Sequence, residues 1–163
     1  MKLGVLADSH DNVPMVEAAV RRFTELGVEL VIHAGDFVAP FAVAPLEALS
    51  CPVVAVFGNN DGERVGLANR FAAGIGEVHP ILAEVEAGGR RIAAMHYPEM
   101  ADAIAPGGTF DLVIYGHTHV VEIRPGRSLV LNPGEAGGWL TGLATAAVVD
   151  LTSLDVEILE LRP

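Results

Sequence analysis

The apolar residues of this chain come in short packets. Lys2–Ala7, Leu30–Ala34, Pro52–Phe57 and Asp111–Tyr115 are each five or six residues long and nearly continuous in apolar character. Runs of that length are too short for helices, and without polar alternation they read as strands buried on both faces. Between the first three lie segments of helical pattern, at Met15–Leu26, Phe41–Leu49 and Glu63–Ala72. The first has Asn12 at its N-cap, Pro14 in its first turn and Gly27 just past its end, as helix termini prefer. A βαβαβ order of this kind implies parallel strands joined by right-handed crossovers.

The rhythm then changes. Ile81–Ala87 and Arg90–His96 flank Gly88-Gly89, a hairpin signal. A short helix is expected over Glu99–Ala105. Val121–Arg124 pairs with Ser128–Leu131 across Pro125-Gly126-Arg127, and Leu143–Asp150 with Leu154–Leu161 forms a closing hairpin. A parallel first half and an antiparallel second half predict two packed sheets with helices outside. That is a four-layer α/β/β/α sandwich, or failing that one mixed sheet. The length of 163 residues fits a single domain over 1–163, and 51% hydrophobic residues supply a core without disulfide or metal.

Composition excludes several classes of function. Ten Lys+Arg against 21 Asp+Glu give a net charge of −11, which opposes a nucleic-acid duplex. The single cysteine, Cys51, excludes an intrachain disulfide and a zinc ribbon. It reads as a small apolar group. No uncharged stretch reaches the ~18 residues of a membrane span, and Leu3–Ala7 is too short for a signal-peptide core. A cytoplasmic location is expected, with homo-oligomerisation left open. There is no GxxxxGK[ST] and no GxGxxG after a strand, so a nucleotide-binding switch is not indicated.

Five times an apolar strand stops and a ligand-type residue follows at once. These are Asp8-Ser9-His10, Asp36, Asn59-Asn60-Asp61, His96 and His117-Thr118-His119. Parallel strands gather their carboxyl ends at one edge, where α/β proteins bind ligands. Gly35, Gly58 and Gly116 immediately precede three of the clusters and allow the backbone to turn sharply there. Carboxylates, imidazoles and an amide, with no thiolate, suit Mn²⁺, Fe²⁺, Zn²⁺, Co²⁺ or Ni²⁺ better than Ca²⁺ or Cu⁺. Asp8, His10, Asp36, Asn59, His96, His117 and His119 are too many for one tetrahedral ion and suit two ions sharing a carboxylate. A bridging water between ions ~3.5–4 Å apart is ionised near neutral pH and can attack phosphorus in line.

Taken singly, each cluster has a plainer reading. Asp8-Ser9-His10 and Gly35-Asp36 are ordinary turn sequences, and Asp61 reads equally well as the N-cap of the next helix. His96 alone could be a satisfied partly buried histidine. His33 reads as core or as support behind a ligand, and His79, before Pro80, as a solvent-facing loop residue. Arg64 and Arg70 read as a solvated helix face within reach of a phosphate. The placement of all five clusters at strand ends is what carries the chemical reading.

In order, D-x-H, G-D, G-N-x-D, H and G-H-x-H over Asp8 to His119 resemble the calcineurin-like metallophosphoesterase superfamily, in its small prokaryotic phosphodiesterase branch. The resemblance implies the four-layer sandwich and two divalent metal ions, Mn²⁺ foremost. By that pattern Asp8, His10 and His119 hold the first ion, Asn59, His96 and His117 the second, and Asp36 bridges them. Asn132-Pro133-Gly134 resembles a loop near the site in this branch.

Three positions depart from the pattern. Asn60 stands where larger members carry a histidine thought to act on the leaving oxygen, and an amide cannot serve there as a general acid. Tyr97-Pro98 follows His96 where many relatives have glycine, so Tyr97 is expected to narrow the pocket or stack on substrate. Glu135 stands where serine is often found and is expected to add negative charge near an anionic substrate. Asn60 and Asp61 are the candidate catalytic residues, and Asn60 and Tyr97 the candidate substrate contacts. The expected function is metal-dependent hydrolysis of a small phosphodiester. The alternative is a weakly active or inactive metal-binding scaffold for protein assembly, as in the retromer subunit of the same fold.

Overall fold

A computed structural model describes residues 1–163. Strands β1 (Lys2–Leu6), β2 (Leu30–His33), β3 (Val53–Val56) and β4 (Gly76–His79) run parallel, and the late hairpin of β10 (Thr145–Asp150) and β11 (Val156–Glu160) joins antiparallel beside β1. The first sheet therefore has the order β11-β10-β1-β2-β3-β4. The second, in order β5-β6-β7-β9-β8, is built from β5 (Leu82–Ala87), β6 (Arg90–Met95), β7 (Leu112–Ile114), β8 (Glu122–Arg124) and β9 (Leu129–Asn132).

Strand alternation sorts the apolar side chains into layers. Leu3 and Val5 of β1 and Ile32 of β2 pack against Ile92, Leu112 and Ile114 between the sheets. The opposite face of the first sheet, with Leu6, Val31 and Val53, meets Val16 and Phe23 of α1 (Val13–Leu26) and Leu67 of α2 (Arg64–Arg70). Gly4 matters here, because a Cβ on it would stand 3.0 Å from the Phe23 ring. Beyond the second sheet, Met95, Val113 and Val130 are covered by Ala101 of α3 (Pro98–Ile104). Helix, sheet, sheet and helix make the four layers expected from the sequence.

Several local expectations are corrected. The second half is not purely antiparallel: β6, β7 and β9 are parallel neighbours, and the closing hairpin belongs to the first sheet. The segment read as a helix at Phe41–Leu49 is a 3₁₀ helix over Pro40–Ala48, with Pro45 inside; Pro45 has no N–H for an α-helical bond. Asn12 does precede α1, but its side chain donates to the Gly137 carbonyl at 2.7 Å instead of capping. Strand β4 escaped the sequence reading because Gly-Glu-Val-His, a sheet edge, carries little hydrophobic signal. His79 ends that strand half-buried, 3.4 Å from Glu77.

The layers bring the ends of the two sheets together. His96 Nδ1 lies 2.8 Å from the Ala34 carbonyl oxygen after β2, and the Ala136 amide donates to the Ala7 carbonyl after β1.

Candidate metal centre

Six residues around these strand ends hold left-handed backbone: Asp8 (φ 54), His10 (43), Asp11 (57), Asp36 (61), His117 (69) and His119 (61). The conformation costs a non-glycine residue about 1 kcal/mol or more, so the surroundings must impose it. Here the bonds are Asp8 N to Gly35 O, His10 N to Asp36 O and His117 N to Asp8 Oδ2. Strand-end glycines allow the close approach. A Cβ on Gly58 would collide with the Asp36 carboxylate, and one on Gly35 would stand 2.8 Å from His96 Nδ1.

The side chains converge in two groups, Asp8–His10–His119 and Asp8–Asp36–His96. Asp8 Oδ1 lies 3.9 Å from His10 Nε2 and 3.6 Å from His119 Nε2. Asp36 Oδ2 lies 3.7 Å from His10 Nε2 and 3.5 Å from His96 Nε2, which places one carboxylate between the groups. Asn59 Oδ1 is 2.9 Å from both His96 Nε2 and His117 Nδ1. The seven residues read from the sequence as ligands thus lie in one cluster at the strand ends.

This donor set fits cations. Asp8 Oδ1 is buried without a hydrogen-bond donor, an expensive state unless an ion supplies the missing charge. Burial, then the facing carboxylates of Asp36, Glu135 and Asp61, push the Asp8 carboxyl up to about 8 against the lowering bond from His117 N. Burial also lowers His96 despite Asp36 beside it, favouring the neutral imidazole a metal requires. The Ala34 carbonyl can only accept, so it fixes the His96 proton on Nδ1 and leaves the Nε2 lone pair facing Asp36 and Asn59. His10 and His119 likewise point ring nitrogens at each other at 3.3 Å. Oxygen and imidazole donors together suit first-row transition ions.

Around the cluster, Asn60 donates its backbone N–H to Asp36 Oδ1 at 2.8 Å and its amide N–H to Asp36 Oδ2 at 2.7 Å. Asp61 is buried and does not cap α2. It accepts from the amides of Asp36, Gly58 and Val38 at 3.0, 2.7 and 2.8 Å, tying the β2 and β3 loops together. Tyr97 is half exposed, its ring centroid 5.0 Å from that of His117. Arg64 is spent on the carbonyls of Asp61 and Gly58, and Arg70 pairs with Glu47. His33 is fully buried, 3.1 Å from Ser9 Oγ.

Two supporting residues were not given these roles by the sequence. Asn132 donates to the Gly116 carbonyl and Thr118 Oγ1, bracing the loop that carries His117 and His119. Glu135 is buried, and Oε1 lies 3.3 Å from His119 Nδ1. Its carboxylate accepts from the amides of Trp139, Leu140 and Thr141 and from the Thr141 hydroxyl. Burial pushes this carboxyl up, but the bonds from Thr141 and Leu140 and the nearby His119 hold it below its ordinary value. The charge expected to face substrate instead backs a histidine. The signal was in the sequence, as an acid where a serine is commoner, but its direction was not.

Residues 1–154 match the family model of the calcineurin-like phosphoesterase superfamily domain. The chain belongs to the calcineurin-like phosphoesterase superfamily. As a superfamily member it is 38% identical over 155 residues to phosphodiesterase MJ0936 of Methanocaldococcus jannaschii, covering 92% of this chain and 93% of that protein. It superposes on a solved archaeal phosphodiesterase with TM-score 0.93 at 34% identity, over 99% of this chain and 100% of the other. Vps29 of Entamoeba histolytica shares the superfamily fold, with TM-score 0.72 at 18% identity over 99% of this chain and 100% of its own. Phosphoesterases of this superfamily use divalent metal ions, and the clusters at Asp8–His10–His119 and Asp8–Asp36–His96 are groups that could hold them. No helix is long and apolar enough to cross a membrane.

Proposed function

We propose that this superfamily member, acting as one domain over 1–163, is a phosphodiesterase with a dinuclear centre. Asp8, His10 and His119 would hold one ion and Asn59, His96 and His117 the other, with the Asp36 carboxylate within reach of both. Mn²⁺ is the foremost candidate. The observation that carries the reading is the buried, donorless Asp8 Oδ1 beside Asp36 Oδ2, each 3.5–3.9 Å from two imidazole nitrogens. When bound, two divalent ions supply a nucleophile ionised near neutral pH and positive charge for the phosphoryl oxygens.

The chain's own groups do the positioning. Asp36 sits between the two halves of the cluster, and both donors of Asn60 hold its carboxylate in place. In that position the Asn60 amide steadies the bridging group and donates no proton to a leaving group. Asp61 acts through the backbone amides it binds and touches no substrate. Tyr97, packed edge-on to His96 and His117, flanks the path to the second half. The net charge of −11 directs the enzyme to small phosphorylated substrates held by the cations and away from duplex nucleic acid.

Hydrolysis of bis(p-nitrophenyl) phosphate by protein stripped with chelator and reloaded with Mn²⁺ tests the reading. Activity is expected only after reloading. Silence across Mn²⁺, Ni²⁺, Co²⁺ and Zn²⁺ with the fold intact would replace the enzyme with a metal-binding scaffold.

A further inference from the structure

We propose that the indole of Trp139 is a substrate subsite on which a planar aromatic arm of the diester, a nucleobase, stacks while the phosphoryl group lies at the ligand cluster. The inference rests on the phosphodiesterase reading and narrows it to nucleoside-bearing diesters.

Trp139 is 65% exposed, whereas the rings of Phe23, Phe37 and Phe71 are almost wholly buried. Exposure here is not looseness. The indole Nε1 donates to the carbonyl of His10 at 3.0 Å, and the Trp139 amide donates to Glu135 at 2.9 Å. The next two amides bind the same carboxylate, and Gly138 and Gly142 turn the chain at φ 64 and 73. A ring is thus fixed edge-on to the backbone of a proposed metal ligand with its surface left open. Trp139 also walls a groove of about 330 Å³ with Met15, Leu143 and Leu161, where the one cation, Arg162, is paired with Glu160.

Charge makes such a platform useful. Arg64, the cation nearest the Asn59–Asp61 loop, is committed to the carbonyls of Asp61 and Gly58. With a net charge of −11, the protein has little positive charge to spend on the rest of an anionic substrate. Affinity for an ester arm must then come from apolar contact, and a base presents a π-face to any aromatic platform. Leu140 is 80% exposed on the same loop, but its side chain has no bond that fixes its direction.

The test compares two esters with one leaving group, thymidine 5′-(p-nitrophenyl) phosphate and methyl p-nitrophenyl phosphate, in Mn²⁺-loaded protein. Trp139→Ala is expected to lower the thymidine-to-methyl ratio of kcat/KM roughly tenfold. Trp139→Phe keeps a ring but loses the N–H, and is expected to retain most of the ratio. An unchanged ratio in Trp139→Ala overturns the proposal. So does an equal loss in both variants, which would assign Trp139 to holding His10.

Because the chain has a single tryptophan, fluorescence gives a readout that needs no turnover. In Zn²⁺-loaded protein, thymidine 5′-monophosphate is expected to quench the emission and ribose 5-phosphate to leave it unaltered. If neither ester is hydrolysed, the enzymatic reading fails and this titration alone decides whether Trp139 receives a base. Equal responses to the two phosphates reject the subsite.

Discussion

The two halves of the ligand cluster are built differently. Asp8 and His119 lie with side chains 0% and 13% exposed, and the Glu135 carboxylate stands behind His119. On the other side His96 is buried but Asn59 and His117 are exposed, and apart from the carboxylates of Asp8 and Asp36 that side offers only imidazoles and an amide. Buried negative charge raises cation affinity because little solvent screens it. The first half is therefore expected to hold its ion tightly and the second to exchange.

The largest effect is expected from Asp36→Asn, which removes the charge common to both halves and sets an amide against the two donors of Asn60. Turnover of bis(p-nitrophenyl) phosphate should fall roughly 10³-fold, by comparison with losses from single groups that stabilise a transition state electrostatically. Near-normal rates would break the idea of a shared carboxylate.

Metal content separates the halves directly. After dialysis against a weak chelator, Asn59→Ala should retain about one equivalent of ion per chain by elemental analysis, whereas Asp8→Asn should retain almost none. Equal retention would mean that the charge difference between the halves does not govern affinity.

A smaller effect is expected from Glu135→Ser. Losing the carboxylate behind a ligating histidine typically costs 10–100-fold in metal affinity, and here only the first ion should weaken. Hydrogen exchange at the amides of Leu140 and Thr141 should speed up in the same variant, since both donate to Glu135. Slow exchange would show that the loop does not depend on this anchor.

A separate effect, on stability and not on metal, concerns His33. Burial, then His96 and His10, lower it from 6.5 to about 3, so the folded state stays unprotonated where the unfolded chain binds a proton. Its contribution to stability is present above 6.5 and is lost as pH falls toward 3, by at most about 1.4 kcal/mol per pH unit. His33→Gln should flatten the fall in urea midpoint between pH 6.5 and 4. Parallel profiles for the two proteins would remove His33 from the acid response.

Much of this protein was legible before its fold. The short apolar runs around Leu3–Ala7 and Leu30–Ala34 announced buried strands because period and length respond to burial alone. Ligand-type residues at strand ends announced a site because parallel strands gather those ends. Polar edge strand β4 left no such mark. Asp61 read as a catalytic candidate or a helix cap; its tie between the β2 and β3 loops rests on the amides of Asp36 and Val38 from another loop and left no mark in the sequence.

By itself, the sequence marked an α/β architecture of layered sheets and the candidate donors at the strand ends, through residue type, spacing and the resemblance they carry. Tertiary structure decided which way the donors and their supports face. Glu135, expected beside substrate, turned inward because three loop amides and His119 offered its carboxylate better partners than water. Trp139 stayed outside because its N–H found the His10 carbonyl at the rim. The Glu135 anchor closes on its own loop and on His119, whereas Trp139 and His10 are 129 residues apart and only the closed fold brings them within hydrogen-bonding distance.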